Sequence, residues 1–248
     1  MAKDLFSTQA DLYARYRPTY PQELFDHIFS FVENRDCAWD CATGNGQAAQ
    51  VLASHFKKVE ATDISEKQLQ NAVQKANIHY QLSPAEKTPF ADNSFDLITI
   101  ATAYHWFDWK AFFTEANRVG KHGCVVAAWA YHVFYSVDEN ITNIIQHFYH
   151  DIVNAYWDKE RSYVDDRYTT VEFAFDPLPV KEFDLVLHWS RDDFFGYLST
   201  WSAVQKYIQQ NGHSPLTLIE ADVKKAWPDD SSKEFHFPLF LKLGRVIK

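Results

Sequence analysis

The sequence predicts an α/β protein built on a doubly wound, mostly parallel sheet. Three observations carry that expectation. Apolar strand-like runs alternate with helix-like segments from Cys37 to about residue 130. The run Ala38 to Gln47, A-W-D-C-A-T-G-N-G-Q, joins a short apolar strand to a helix through a turn holding Gly44 and Gly46. Ser94 to Ala101, S-F-D-L-I-T-I-A, is apolar almost throughout, as a central strand covered on both faces must be.

The elements follow in order. Residues 1–20 read as an aromatic and basic arm, and Pro21 to Val32 as a helix with Leu24, Ile28 and Phe31 on one face. Strand 37–42 leads to helix 46–56, and strand 58–62 leads to helix 66–77, which opens on a Ser65-x-x-Gln68 capping box. A short strand at 78–82 precedes a loop with Pro84 and Pro89; strand 94–101, helix 108–118 and strand 123–130 complete the alternation. Beyond Tyr131 the pattern changes. Residues 138–160 read as one helix, and helices span about 191–211 and 215–227. Two late strands alternate strictly, with Phe183, Leu185, Leu187 and Trp189 on one face of the first and Phe235, Phe237, Leu239, Leu241 and Leu243 on one face of the second. That pattern suits an antiparallel pair with one covered face. No internal repeat or flexible linker interrupts the 248 residues, so one domain is expected.

Composition excludes several classes of function. Hydrophobic residues at 46% and aromatics at 17% supply a large core, and argue against disorder. A net charge of −9 without a Lys/Arg run leaves no basic face for nucleic acid or an anionic membrane surface. No apolar run reaches the ~20 residues of a membrane span, and the start lacks the apolar stretch of a secretory signal. Cys37, Cys41 and Cys124 read as buried thiols, and the expected compartment is the cytoplasm. The remaining histidines, including His147 and His150, lack the company of a metal site, so no metal is expected.

A strand, a glycine turn and a helix bring bare backbone and a helix N-terminus to a nucleotide-like ligand. Two cofactors fit. Gly44-x-Gly46-x-x-Ala49 meets the dinucleotide pattern, and Asp63 lies near the expected offset for a ribose-binding acid, which admits NAD. Asp40, at the end of the first strand, favours instead a ligand with a cationic amine and sulfonium, S-adenosylmethionine, over a like-charged pyrophosphate. An NAD enzyme also needs a second nucleotide-binding half, and no second such motif is present.

Four stretches resemble the class I S-adenosylmethionine-dependent methyltransferases, within them the trans-aconitate methyltransferase-like proteins of the methyltransferase type 11 group. They are Tyr13-Ala14-Arg15-Tyr16-Arg17-Pro18-Thr19-Tyr20-Pro21; the turn 40–46; Ser83 to Asp96 running into Ala103-Tyr104-His105-Trp106-Phe107-Asp108; and Gly196 to Val204 with the terminal P-L-F-L-K-L-G-R. Two positions depart from the pattern. Ala42 replaces the first glycine of the turn, which is tolerable unless φ is positive there, and Pro84 replaces an acid that meets the adenine amino group.

The resemblance implies a Rossmann-like fold with a seven-stranded sheet, its last two strands antiparallel, an N-terminal arm and a C-terminal helical embellishment. It divides the domain into residues 1–36 (arm and helix), 37–130 (cofactor-binding core) and 131–248 (substrate side). The cofactor residues expected are Tyr16, Arg17, Asp40, Ala42, Thr43, Gly44, Gly46, Asp63, Ile64, Ala85, Glu86 and Ala101. Asp63 would accept the ribose hydroxyls, Asp40 would hold the methionine amine through water, and Arg17 would pair with a carboxylate. Tyr20, Tyr104, His105, Trp106 and Trp201 would wall a substrate pocket, and His105 is the candidate base. The expected reaction is methyl transfer to a small molecule at a carboxylate or hydroxyl oxygen, leaving S-adenosylhomocysteine. The alternatives are an NAD-linked oxidoreductase and a non-catalytic S-adenosylmethionine-binding protein.

Overall fold

The computed structural model describes residues 15–248; Tyr13 and Ala14, which begin the tyrosine-rich opening, lie outside the described residues. The first half alternates strand and helix. Helix α1 (Gln22–Phe29) is followed by β1 (Cys37–Cys41), α2 (Gln47–Leu52), β2 (Lys58–Asp63), α3 (Glu66–Gln70) and β3 (Ile78–Leu82). Then come β4 (Phe95–Ala101), α4 (Trp109–Val119) and β5 (Gly120–Tyr131). The second half holds β6 (Tyr135–Ser136), α5 (Glu139–His147), α6 (Arg161–Asp165), β7 (Asp176–Pro177), β8 (Phe183–Trp189), α7 (Arg191–Ser199), α8 (Ser202–Asn211), α9 (Glu220–Ala226) and β9 (Lys233–Arg245).

The sheet runs β3-β2-β1-β4-β5-β9-β6, with β7 and β8 also pairing with β9. Strands β1 to β5 are parallel, and β9 runs antiparallel against both β5 and β8. Among the described residues seven strands have five or more residues, as expected; β6 and β7 are two-residue additions at the margin. Neighbours on β4 and β5 alternate between two cores. Leu97 and Val125 pack with Leu24, Ile28, Ala48 and Leu52 of α1 and α2. Ile98 and Val126 pack with Phe112 and Ala116 of α4. Period-two residues buried on both faces explain the near-continuous apolar sequence of these strands. Strand order reverses between β1 and β4, which places a crevice at their carboxyl ends.

Three helices differ from expectation. The predicted helix 66–77 stops at Gln70, because Val73 N donates to Asn45 O across the glycine turn and Tyr80 Oη to Val73 O, which draws residues 71–77 onto α2. Its Ser65 accepts from Gln68 N, whereas the Gln68 side-chain oxygen is buried without a partner, so only half of the capping box is made. The predicted helix 138–160 is α-helical only over Glu139–His147, then π-helical over Phe148–Ile152, with a 3₁₀ turn at Asn154–Tyr156. The predicted helix 191–211 breaks at Thr200 and Trp201. Thr200 Oγ1 donates back to Tyr197 O, and Trp201 is extended and starts α8. A 3₁₀ turn, Pro215–Leu218, likewise precedes α9.

The arm docks on this broken helix pair. A Cβ built on Gly196 of α7 would lie 2.4 Å from Tyr16 Cε1, so the missing side chain is the seat of the Tyr16 ring. Tyr131 Oη donates to Pro18 O at 3.1 Å, and Tyr20 stacks on Tyr131. Gly→Ala inside a helix ordinarily gains about 1 kcal/mol. Gly196→Ala is expected instead to unseat the arm while the core stays folded, read as a several-fold faster tryptic cut at Arg15 with unchanged far-ultraviolet circular dichroism.

Candidate active site

The turn after β1 is held by one acid. Asp40 is fully buried. Its Oδ2 accepts from Thr43 Oγ1 at 2.5 Å and Ala49 N at 3.0 Å, and its Oδ1 accepts from Thr99 Oγ1 on β4 at 2.8 Å. This carboxylate therefore faces the protein: it ties the turn to α2 and to the neighbouring strand. That departs from the water-linked ligand contact expected of it. Burial pushes its pKa up to about 6, against the pull of the donors from Thr43, Thr99 and Ala49.

Around this brace the backbone is left-handed at three places: Ala42 (φ 54°), Gly44 (φ 57°) and Gly46 (φ 84°). Ala42 thus occupies the conformation in which its methyl is unfavourable. Gly46 is also crowded, since a Cβ there would lie 2.3 Å from Tyr80 Oη, whereas one on Gly44 would meet nothing within 4 Å. Gly44 fronts open space. At the end of β4, Thr102 adopts φ 56°, an outlier for a β-branched residue, held by Thr102 N donating to Trp129 O and by a 3.1 Å bond between its hydroxyl and Tyr20 Oη.

Asp63 ends β2, with Oδ2 accepting from Gly44 N at 2.8 Å and Oδ1 from Ser65 N at 2.9 Å. Beside it Ile64 is 40% exposed, an apolar side chain left uncovered at the crevice. Ala85 is buried, and Glu86 turns away to accept from Asp108 N at 3.1 Å. Their loop is pinned by Glu115, which takes both donors of Thr88 at 2.6 Å and pairs with Arg118. Ala101 sits at the end of β4 opposite Trp129 of β5.

Next to these strand ends lies a cleft of about 750 Å³, counting its open mouth. Arg17, Thr102, His105, Trp106 and Trp201 line it, together with Arg161. Tyr20 does not line it, and meets Thr102 and Tyr131, which do. Tyr104 does not line it: that side chain is 1% exposed in the α4-side core, donating to Glu172 O at 2.7 Å. The expectation for Tyr104 is corrected accordingly, since a strand-end aromatic next to His105 turns to the other face. His105 is buried, with Nδ1 2.9 Å from Tyr168 Oη, and desolvation together with the Arg161 charge lowers its pKa to about 3. It is a neutral hydrogen-bonding group at physiological pH, and a weak base. Arg17 Nε donates to Thr200 Oγ1 at 3.0 Å over the Tyr197 ring, on the cleft's side of the arm.

Sequence reading passed over Thr99, Glu115 and Arg161. Thr99 and Glu115 look like ordinary strand and helix residues until the tertiary fold brings them to Asp40 and Thr88. Arg161 had no motif around it.

Fold and crevice together define a Rossmann-like methyltransferase. Residues 39–128 match the methyltransferase domain family model, Methyltransf_11. A Dictyostelium discoideum protein named as a methyltransferase is 34% identical over 98% of this chain and 95% of its own. A solved structure of a type II methyltransferase, so named, from Anaeromyxobacter dehalogenans is 33% identical, covers 94% of this chain and 99% of its own, and superposes with a TM-score of 0.86. The YcgJ protein of Bacillus subtilis, 17% identical with a TM-score of 0.53 over 92% of this chain and 99% of its own, shares the fold. The chain belongs to the methyltransferase family, and its cofactor is S-adenosylmethionine.

Two outcomes test the turn. Ala42→Gly relieves a left-handed alanine and is expected to raise stability by up to about 1 kcal/mol in urea unfolding. Asp40 has a folded pKa of about 6 against an ordinary 3.8, so protonation favours the folded state. Its contribution is greatest below the lower value and is lost as pH rises through the higher one. Asp40→Asn can keep the Ala49 contact and carries no charge. The stability of wild type relative to this variant should therefore fall between about pH 4 and pH 6.

Proposed function

We propose that this protein transfers a methyl group from S-adenosylmethionine to an oxygen, carboxylate or hydroxyl, of a small-molecule acceptor seated in the 750 Å³ cleft. The observation that carries the reading is the position of Asp63. Its carboxylate ends β2, fixed by Gly44 N and Ser65 N, next to an uncovered Ile64 and to a glycine with open space before it. A carboxylate at the end of this strand can accept a ribose hydroxyl, Ile64 offers an apolar platform to an adenine, and Gly44 lets the chain approach closely. The backbone near Ala85 would meet the base edge, and Ala101 and Thr102 the methionine end. Asp40 and Thr43 act beneath the turn, the buried charge favouring a cationic ligand end.

Bound S-adenosylmethionine supplies the electrophilic methyl and its leaving group. The chain's own residues then have to align the acceptor and keep out water. Trp106 and Trp201 wall the cleft, and Arg17 supplies a cation at its edge. An ionised carboxylate needs no base, which agrees with the weak basicity of His105 and with the resemblance to trans-aconitate methyltransferase-like proteins. His105, held by Tyr168 Oη behind it, serves as a hydrogen-bonding part of the wall.

Calorimetric titration with S-adenosylmethionine is the test. Wild type is expected to bind at micromolar concentration, and Asp63→Ala at least about tenfold more weakly, the cost of a charge-assisted bond. Equal binding by the two proteins would remove the ribose role from Asp63.

A further inference from the structure

The segment predicted as a single helix departs from that pattern where it meets the cleft. Phe148–Ile152 is π-helical, the next turn is 3₁₀, and Trp157 is extended. Inserted π turns commonly serve to place side chains at functional sites. Here the turn carries Tyr149, whose Oη accepts from Arg161 Nε at 2.7 Å and donates to Asp165 Oδ1 at 2.7 Å. The Arg161 guanidinium lies 5.4 Å from the Tyr149 ring centroid and 5.2 Å from that of Trp157, and the side chain is only 21% exposed. Its Nε is engaged by Tyr149 and Asp165, while its two terminal amino groups have no hydrogen-bond partner among the described residues. Trp157 Nε1 is also a buried donor without one. Both residues line the cleft.

Acids are present beside this wall. Asp165 shares its charge with Arg161, and Asp158, 8% exposed, lies 2.6 Å from Lys206 Nζ. A guanidinium held by Nε presents its other edge, two parallel N–H groups, which matches a carboxylate.

Resting on the methyl-transfer reading above, we propose that Arg161 is a specificity-determining residue. Its free edge, with Trp157 Nε1 beside it, holds an anionic group of the acceptor that is not the atom methylated. An oxygen whose lone pairs are tied to a guanidinium is a poor nucleophile, so the anchored carboxylate is a handle and the methyl-accepting atom lies elsewhere on the molecule. Tyr149 and Asp165 position the guanidinium and do not touch the acceptor.

The experiment titrates aliphatic dicarboxylates from succinate to suberate, and their diamides, onto wild type, Arg161→Gln, Arg161→Lys and Tyr149→Phe, with and without saturating S-adenosylhomocysteine. At least one dicarboxylate should bind wild type at least about tenfold more tightly than its diamide, and Arg161→Gln should lose that preference. Arg161→Lys, a charge without the fork, should fall between them. Tyr149→Phe should weaken binding several-fold with the charge intact, and it decides the matter if Arg161→Gln fails to fold. Affinity for S-adenosylhomocysteine should stay the same in all four proteins. The proposal is overturned if no dicarboxylate binds wild type, or if Arg161→Gln binds them as well. Should S-adenosylhomocysteine bind none of the proteins, the methyl-transfer reading fails on its own account, and the titrations without it still decide for or against Arg161.

Discussion

The structure depends most on the buried carboxylate of Asp40. A charge fully removed from water is costly unless donors surround it. Here the donors are Thr43 in the turn, Ala49 in α2 and Thr99 on β4. Satisfying that one group fixes the strand end, the glycine turn, the following helix and the neighbouring strand relative to one another. Removing a partner would leave a buried charge uncompensated, so the four elements hold together or loosen together. The crevice at the strand ends is the outer surface of this arrangement, and Asp63 closes it by accepting from Gly44 N.

Strain gathers at the same edge. Ala42 and Thr102 adopt positive φ at the carboxyl ends of β1 and β4, the two strands between which the sheet order reverses. Both conformations are costly for a residue that carries a side chain. They persist because their surroundings over-determine them: Thr102 through Trp129 O and Tyr20, Ala42 through the Asp40 brace next to it. The arm adds a third constraint, since Tyr20 meets Thr102 and Arg17 meets Thr200, so residues distant in sequence share one cleft.

The parallel sheet and the glycine turn were legible because they rest on local signals: two-sided burial in Ser94 to Ala101, strict alternation in the last two strands, and glycines at a strand end. The place of Asp63 at the end of β2 was legible from its spacing. The interior post of Asp40 was not, because a strand-end acid reads alike whether it faces water or three donors. Tyr104 and His105 are adjacent, and only packing decides that one enters the core while the other borders the cleft. The helices at 138–160 and 191–211 misled for a related reason. Tyr149 and Thr200 bond to groups far along the chain, and those tertiary bonds override a continuous helical pattern.

The most direct measurement is a crystal structure with S-adenosylhomocysteine. The account predicts ribose hydroxyls on Asp63, the adenine against Ile64 and Ala85, and the amino-acid end passing Gly44 toward Thr102, with Asp40 still bound to Thr43, Ala49 and Thr99. A ligand seated away from Asp63, or a turn that rebuilds and turns Asp40 out toward the ligand, would contradict it.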